Sequence, residues 1–199
     1  MANPPRVQVI TLAQPPMMPL QRYTPTAIHL HWLIALALVG TFSLGLYMHE
    51  LPLSPTKLKL YAWHKWAGVT LFLLAWVRLA WRLGHRPPPL PAGMPAWQLR
   101  ASALVHGLLY VLMIAVPLSG WLMSSAKGFQ TVWFGVLPLP DLVGKSEDLG
   151  KTLEAAHKLL NLTLAGLVAV HVGAALKHHF IDRDGLLGRM SLFLGHGAR

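Results

Sequence analysis

Two histidines, His157 and His171, lie 14 residues apart inside the apolar run Thr152–Phe180. On an α-helix, at about 100° and about 1.5 Å per residue, that spacing falls about 40° short of four whole turns, so both imidazoles share one face about 21 Å apart. Neutral imidazole is a common metal ligand, and an ionisable side chain inside an apolar span is costly enough to mark a function. One ring near each side of a hydrocarbon layer about 30 Å thick suits two stacked cofactors better than one. The bland alternative is a pair of rings that only hydrogen-bond across a helix bundle.

The elements that must position these rings are membrane spans. Of 199 residues, 54% are hydrophobic and 12% charged, which sets the chain apart from ordinary soluble domains. Apolar stretches near 26–48, 62–83, 99–123 and 152–180 each approach or exceed the ~20 residues that cross a bilayer as a helix. The runs are continuous rather than alternating, which argues against strands. Met1–Gln21 holds five prolines and has no charged start followed by an apolar core, so it reads as a disordered tail rather than a secretory signal. The expected organisation is a tail over 1–21, a four-helix transmembrane domain over 22–190 and a second tail over 191–199.

Charge sets the expected orientation. The first tail, the second loop and the C-terminal segment hold ten of the 17 basic residues, among them Arg22, Arg78, Arg82, Arg86 and Arg100. The opposite side holds seven, Lys57, Lys59, Lys65, Lys127, Lys145, Lys151 and Lys158, together with five of the seven acids. Both termini are therefore expected in the cytoplasm. The net charge of +10 sits beside the spans, where it attracts anionic headgroups, so nucleic acid is discounted as a partner. Cysteine is absent, which excludes disulfides, iron–sulfur clusters and covalently attached c-type haem.

The other spans supply further rings. His31 opens the first, with His29 roughly 200° away on the helix, so only one of them faces a bundle interior. His64 opens the second span, and Gly68, one turn on, leaves room beside a ring. Arg78 and Arg82 near its other end either snorkel to headgroups or pair with an anionic group such as a haem propionate. The third span carries His106, without an obvious partner and read as structural or quinone-adjacent, and Pro117, where a kink is expected. Phe129, Trp133 and Phe134 in the long loop read as an interfacial anchor or a roof over a site. His178 and His179 are expected to face headgroups.

With antiparallel spans, His64 matches the depth of His157 and His31 that of His171. Bis-imidazole ligation of haem iron needs one neutral imidazole on each face of the porphyrin, from facing helices. Two pairs at two depths are what two non-covalent b haems need. The segments RYTPTAIHLHWLIALALVG, YAWHKWAGVTLFLLAWVRLAWR, VHGLLYVLMIAVPLSGWLM and AAHKLLNLTLAGLVAVHVGAALKHHFIDRDGLLGRM resemble the bacterial cytochrome b561 family, which is related to the cytochrome b subunits of nickel hydrogenases and formate dehydrogenases. The resemblance covers nearly all of Arg22–Met190. It implies an all-α antiparallel four-helix bundle of the bacterial inner membrane with two b haems in its core, one on His31 and His171 and one on His64 and His157. It also implies electron exchange with ubiquinone and, for some members, oxidation of superoxide at the outer face. Lysine follows two of these positions, as Lys65 and Lys158, which is not a family feature.

The leading expectation is a transmembrane electron carrier between an outer donor, superoxide or a periplasmic redox protein, and membrane ubiquinone. An alternative is an anchor subunit that takes electrons from a periplasmic hydrogenase or dehydrogenase. A metal-ion transporter, from another class, would place carboxylates inside the spans, where Glu154, at a span's end, is the sole acid.

Overall fold

The computed structural model describes residues 21–90 and 93–192. The expected tails therefore lie outside the described residues except for Gln21, Ser191 and Leu192. Four long helices dominate: α1 (Pro25–Glu50), α2 (Pro55–Gly84), α3 (Ala96–Ala126) and α4 (Glu147–Lys177). With 26 to 31 residues each, all are long and apolar enough to cross a membrane.

Local chemistry fixes where they start. Thr24 Oγ1 accepts the Ala27 N–H and Ser54 Oγ that of Lys57, each just before a proline at the first helical position. Serine or threonine at the cap and proline next to it satisfy or remove N–H groups that a helix start leaves unpaired. Ser146 caps α4 in the same way, and Glu147 and Asp148 in the first turn complement the helix dipole. Helix α3 follows Pro95 without a side-chain cap and runs through Pro117. Helix α4 passes into one π-helical turn, His178–Asp182, and stops where Arg183 adopts φ +51°.

The closest helix pairings are α3 with α4, α1 with α2 and α2 with α3. No comparable backbone approach joins α4 to α1 or α2, so the faces between them stay apart. Side chains such as Leu36, Val39 and Leu159 point outward and are more than 60% exposed, as expected of a bundle whose solvent is lipid tails. Inside, Leu112, Val116 and Leu164 form an apolar layer with Leu38, Leu109 and Leu160 packed on it. Leu164 stands midway in sequence between His157 and His171.

The two ends differ. At one end the terminal segments meet: Trp32 Nε1 donates to the Met190 carbonyl at 2.7 Å and the Tyr23 N–H to that of Arg189 at 3.4 Å. At the other, the α3–α4 loop holds a two-stranded ribbon, β1 (Val132–Trp133) with β2 (Leu137–Pro138), turned by Phe134 and Gly135 at positive φ. It docks on α2, where Trp66 Nε1 donates to the Val132 carbonyl at 2.6 Å and Lys65 Nζ to that of Phe129 at 2.9 Å.

Candidate functional site

All four histidines singled out by depth meet in pairs across the gap between α4 and the first two helices. The rings of His31 and His171 are 6.1 Å apart between centres and inclined at 77°. Those of His64 and His157 are 6.4 Å apart at 85°. Two imidazole nitrogens on opposite sides of one first-row metal, each about 2.0–2.1 Å from it and about 1.1 Å from its ring centre, put the centres about 6.3 Å apart. Both pairs fit a shared iron, and the gap between helices leaves a lane for a planar group.

At the loop end, His157 is held by α3. Ser119 Oγ donates to the Val116 carbonyl at 2.7 Å, while His157 Nδ1 lies 2.9 Å from Ser119 Oγ and 3.1 Å from the same carbonyl. Only an Nδ1–H satisfies both oxygens, so the ring is the tautomer whose Nε2 carries a free lone pair. Two glycines let helices close on the rings. A Cβ on Gly120 would sit 3.0 Å from His157 Cε1, and one on Gly45 would sit 3.1 Å from His64 Cε1 and 3.6 Å from its Nδ1. His64 Nδ1 is buried against α1, near the Thr41 backbone, without a partner of normal geometry. Its Nε2 is left as the nitrogen turned away from α1.

At the terminal end, His171 has a third imidazole beside it. His106 stands at 5.2 Å between ring centres and 75°, with its Nδ1 2.7 Å from the Ser102 carbonyl. Arg78 Nη1 donates to the Ala27 carbonyl at 2.9 Å, one turn below His31. Lys65 and Lys158 flank the other pair in sequence.

Gly68 has no neighbouring group where a side chain would start, which leaves the room expected beside a ring, and further close approaches are at Gly45 and Gly120. His106 has partners after all, in Ser102 and His171. His178 gains protein partners that the sequence reading did not name: it is half-buried, with Nδ1 2.6 Å from Asp184 and 3.1 Å from Asp182, where the π turn folds those carboxylates back onto it. His29 behaves as expected and turns outward, with Nδ1 2.8 Å from the Pro25 carbonyl. Sequence reasoning missed Ser119 and Gly120, whose signal was a small polar residue and a glycine side by side in an apolar span.

Comparison with known proteins agrees with this geometry. Residues 22–191 match the family model of prokaryotic cytochrome b561. Cytochrome b561 homolog 2 of Escherichia coli (strain K12) is 36% identical over 172 residues, 85% of this chain and 91% of that protein. Cytochrome b561 homolog 1 of the same organism is 31% identical over 176 residues, covering 86% and 97%. A probable superoxide oxidase, CybB, of Yersinia pestis is 25% identical over 170 residues, covering 85% and 96%. The chain belongs to the prokaryotic cytochrome b561 family, multi-pass membrane proteins of electron transfer that bind haem b.

Proposed function

We propose that residues 22–190 form a dihaem electron carrier of the bacterial inner membrane, with both termini cytoplasmic, that passes single electrons from an outer-face donor to ubiquinone. The observation that carries this reading is the pair of facing imidazoles repeated at two levels of α4, at 6.1 and 6.4 Å. His64 and His157 would hold the outer haem, and His31 and His171 the inner one. Bound b haem supplies one-electron redox chemistry at a potential set by its axial ligands and their hydrogen bonds. The chain's own residues fix the rest. Ser119 and the Val116 carbonyl orient His157, Gly45 and Gly120 admit the outer rings, and Arg78 is placed to face a propionate of the inner group. The optical spectrum of the purified, dithionite-reduced protein tests this: about two b haems per chain are expected, and a colourless or one-haem protein overturns it.

Superoxide is the donor that two observations favour, the name of the Yersinia pestis relative and the lysines of the loop end. A positive outer face raises the encounter rate of a small anion in a salt-dependent way. Loss of one electron turns superoxide into dioxygen, and two such electrons with two protons turn ubiquinone into ubiquinol. The field is diluted, because Lys151 pairs with Glu147 at 2.7 Å and Lys127 with Glu154. Lys65 donates to the Phe129 carbonyl and, among the described residues, is in none of the ion pairs. Lys65→Gln with Lys158→Gln should slow haem reduction by superoxide several-fold at low ionic strength, with haem content unchanged. Equal rates, or a wild-type rate indifferent to salt, would remove superoxide steering and leave the anchor-subunit role ahead.

A further inference from the structure

At the terminal end of the bundle a cavity of about 470 Å³ opens between the start of α1, the last turns of α2 and the segment Pro87–Pro89. That volume is in the range of small-molecule sites. Its wall contains Arg22, Arg78, Arg82 and Arg86 and no carboxylate. Arg22 reaches the Ser191 carbonyl and Arg78 that of Ala27. Among the described residues the ion pairs of the chain leave Arg82 and Arg86 without an acid. Like charges gathered round one cavity repel, and they are retained at least cost where an anion joins them.

The cavity is also built. Trp81 stacks on His85 at 3.9 Å and 7°, and its Nε1 donates to Thr24 Oγ1 at 2.9 Å, which ties α2 to the start of α1. The first turn of α1 opens on the same space through Thr24 and Ala27, adding the positive end of a helix dipole. Beside the guanidinium groups the lateral surface is apolar and lipid-facing: Leu83 is 79% exposed and Val77 52%. Arg82 lies one turn beyond Arg78 along α2, about 6 Å further from the histidine pair, and Arg86 follows the extended cap residue His85, past the end of the helix.

We infer that this cavity binds the phosphate headgroup of an anionic phospholipid, with Arg82 and Arg86 as its cation pair and the acyl chains lying on the exposed apolar surface of the bundle. A basic recess at the end of a transmembrane bundle suits a phosphodiester, since guanidinium groups donate two parallel hydrogen bonds to it.

The test is native mass spectrometry of the detergent-purified full chain as isolated, exchanged into phosphatidylglycerol or phosphatidylcholine micelles, for wild type and Arg82→Gln/Arg86→Gln. Wild type should retain phosphatidylglycerol over phosphatidylcholine, less so at high salt. The double variant should lose that preference several-fold with an unchanged haem spectrum, and Arg86→Gln alone, at the exposed rim, should fall between. Equal retention of phosphatidylglycerol in wild type and variants overturns the proposal. So does displacement by millimolar inorganic phosphate without any lipid preference, which would make the cavity a site for a soluble anion. Loss of one haem from the double variant would assign the arginines to the inner haem and overturn it too.

Discussion

The two histidine pairs have nearly the same separation but are held by different means. At the loop end, His157 is locked by a serine hydroxyl and a main-chain carbonyl, and glycine contacts press on both rings. At the terminal end, the neighbours of His171 and His31 are long side chains, His106 and Arg78, and among the described residues no hydrogen bond like that of His157 holds either ring. Backbone and glycine define an orientation sterically, so the loop-end pair is set by shape. A flexible guanidinium and a third imidazole define it electrostatically, so the terminal-end pair is set by charge. One helix thus carries two proposed ligands, of the proposed outer and inner sites, that should answer differently to the same kind of perturbation.

The largest effect expected is from removing a ligand. His157→Ala should lower the haem content from about two to about one per chain, with the remaining spectrum that of the inner site; His171→Ala should leave the other one. If either variant lost both haems, the two sites would fold as a single unit and the comparison would fail. Next comes shape. Gly120→Val puts branched carbon where even a Cβ would lie 3.0 Å from His157, so haem loss confined to the outer site is expected, whereas Gly84→Val, at the far end of α2 from His64, should leave both sites filled. Equal occupancy in the two valine variants, read by haem-to-protein ratio, would remove the steric account.

A smaller effect is expected from Ser119→Ala. Hydrogen-bond partners of metal-bound histidines are worth about 10–100-fold in affinity, and the Val116 carbonyl remains as a substitute, so the low end of that range should appear in haem dissociation from the outer site only. The smallest concerns His106→Leu. Both haems should stay bound, and the inner site alone should shift in redox potential and absorption maximum, because an edge-on polar ring beside a ligand is replaced by hydrocarbon. A shift of the outer site instead would place His106 in the wrong pair.

Much of this was legible in the sequence, for reasons that differ by residue. Four continuous apolar runs and an antiparallel chain order were enough to match His64 with His157 and His31 with His171 in depth, because helix rise and bilayer thickness are fixed lengths. The family resemblance rested on the same segments that the family model matches. Ser119 and Gly120 were not legible, since which face of α3 meets α4 depends on packing that the near-uniform hydrophobicity of a lipid-exposed helix does not encode. The inward turn of His178 depends on a single π-helical turn, which adds one residue to the helical repeat and moves Asp182 and Asp184 to its side.

The layer of Leu112, Val116 and Leu164 has a consequence for how the protein meets the membrane voltage. It is apolar and stands between the two pairs. In the proposed dihaem carrier an electron passing from one level to the other would cross this apolar layer. Over the whole bilayer one elementary charge exchanges about 2.3 kcal/mol for every 100 mV, and the fraction of that felt between the pairs follows from the share of the thickness they span. Electron flow through the bundle would then slow or quicken with the energisation of the membrane, making the transfer step itself a sensor of membrane potential.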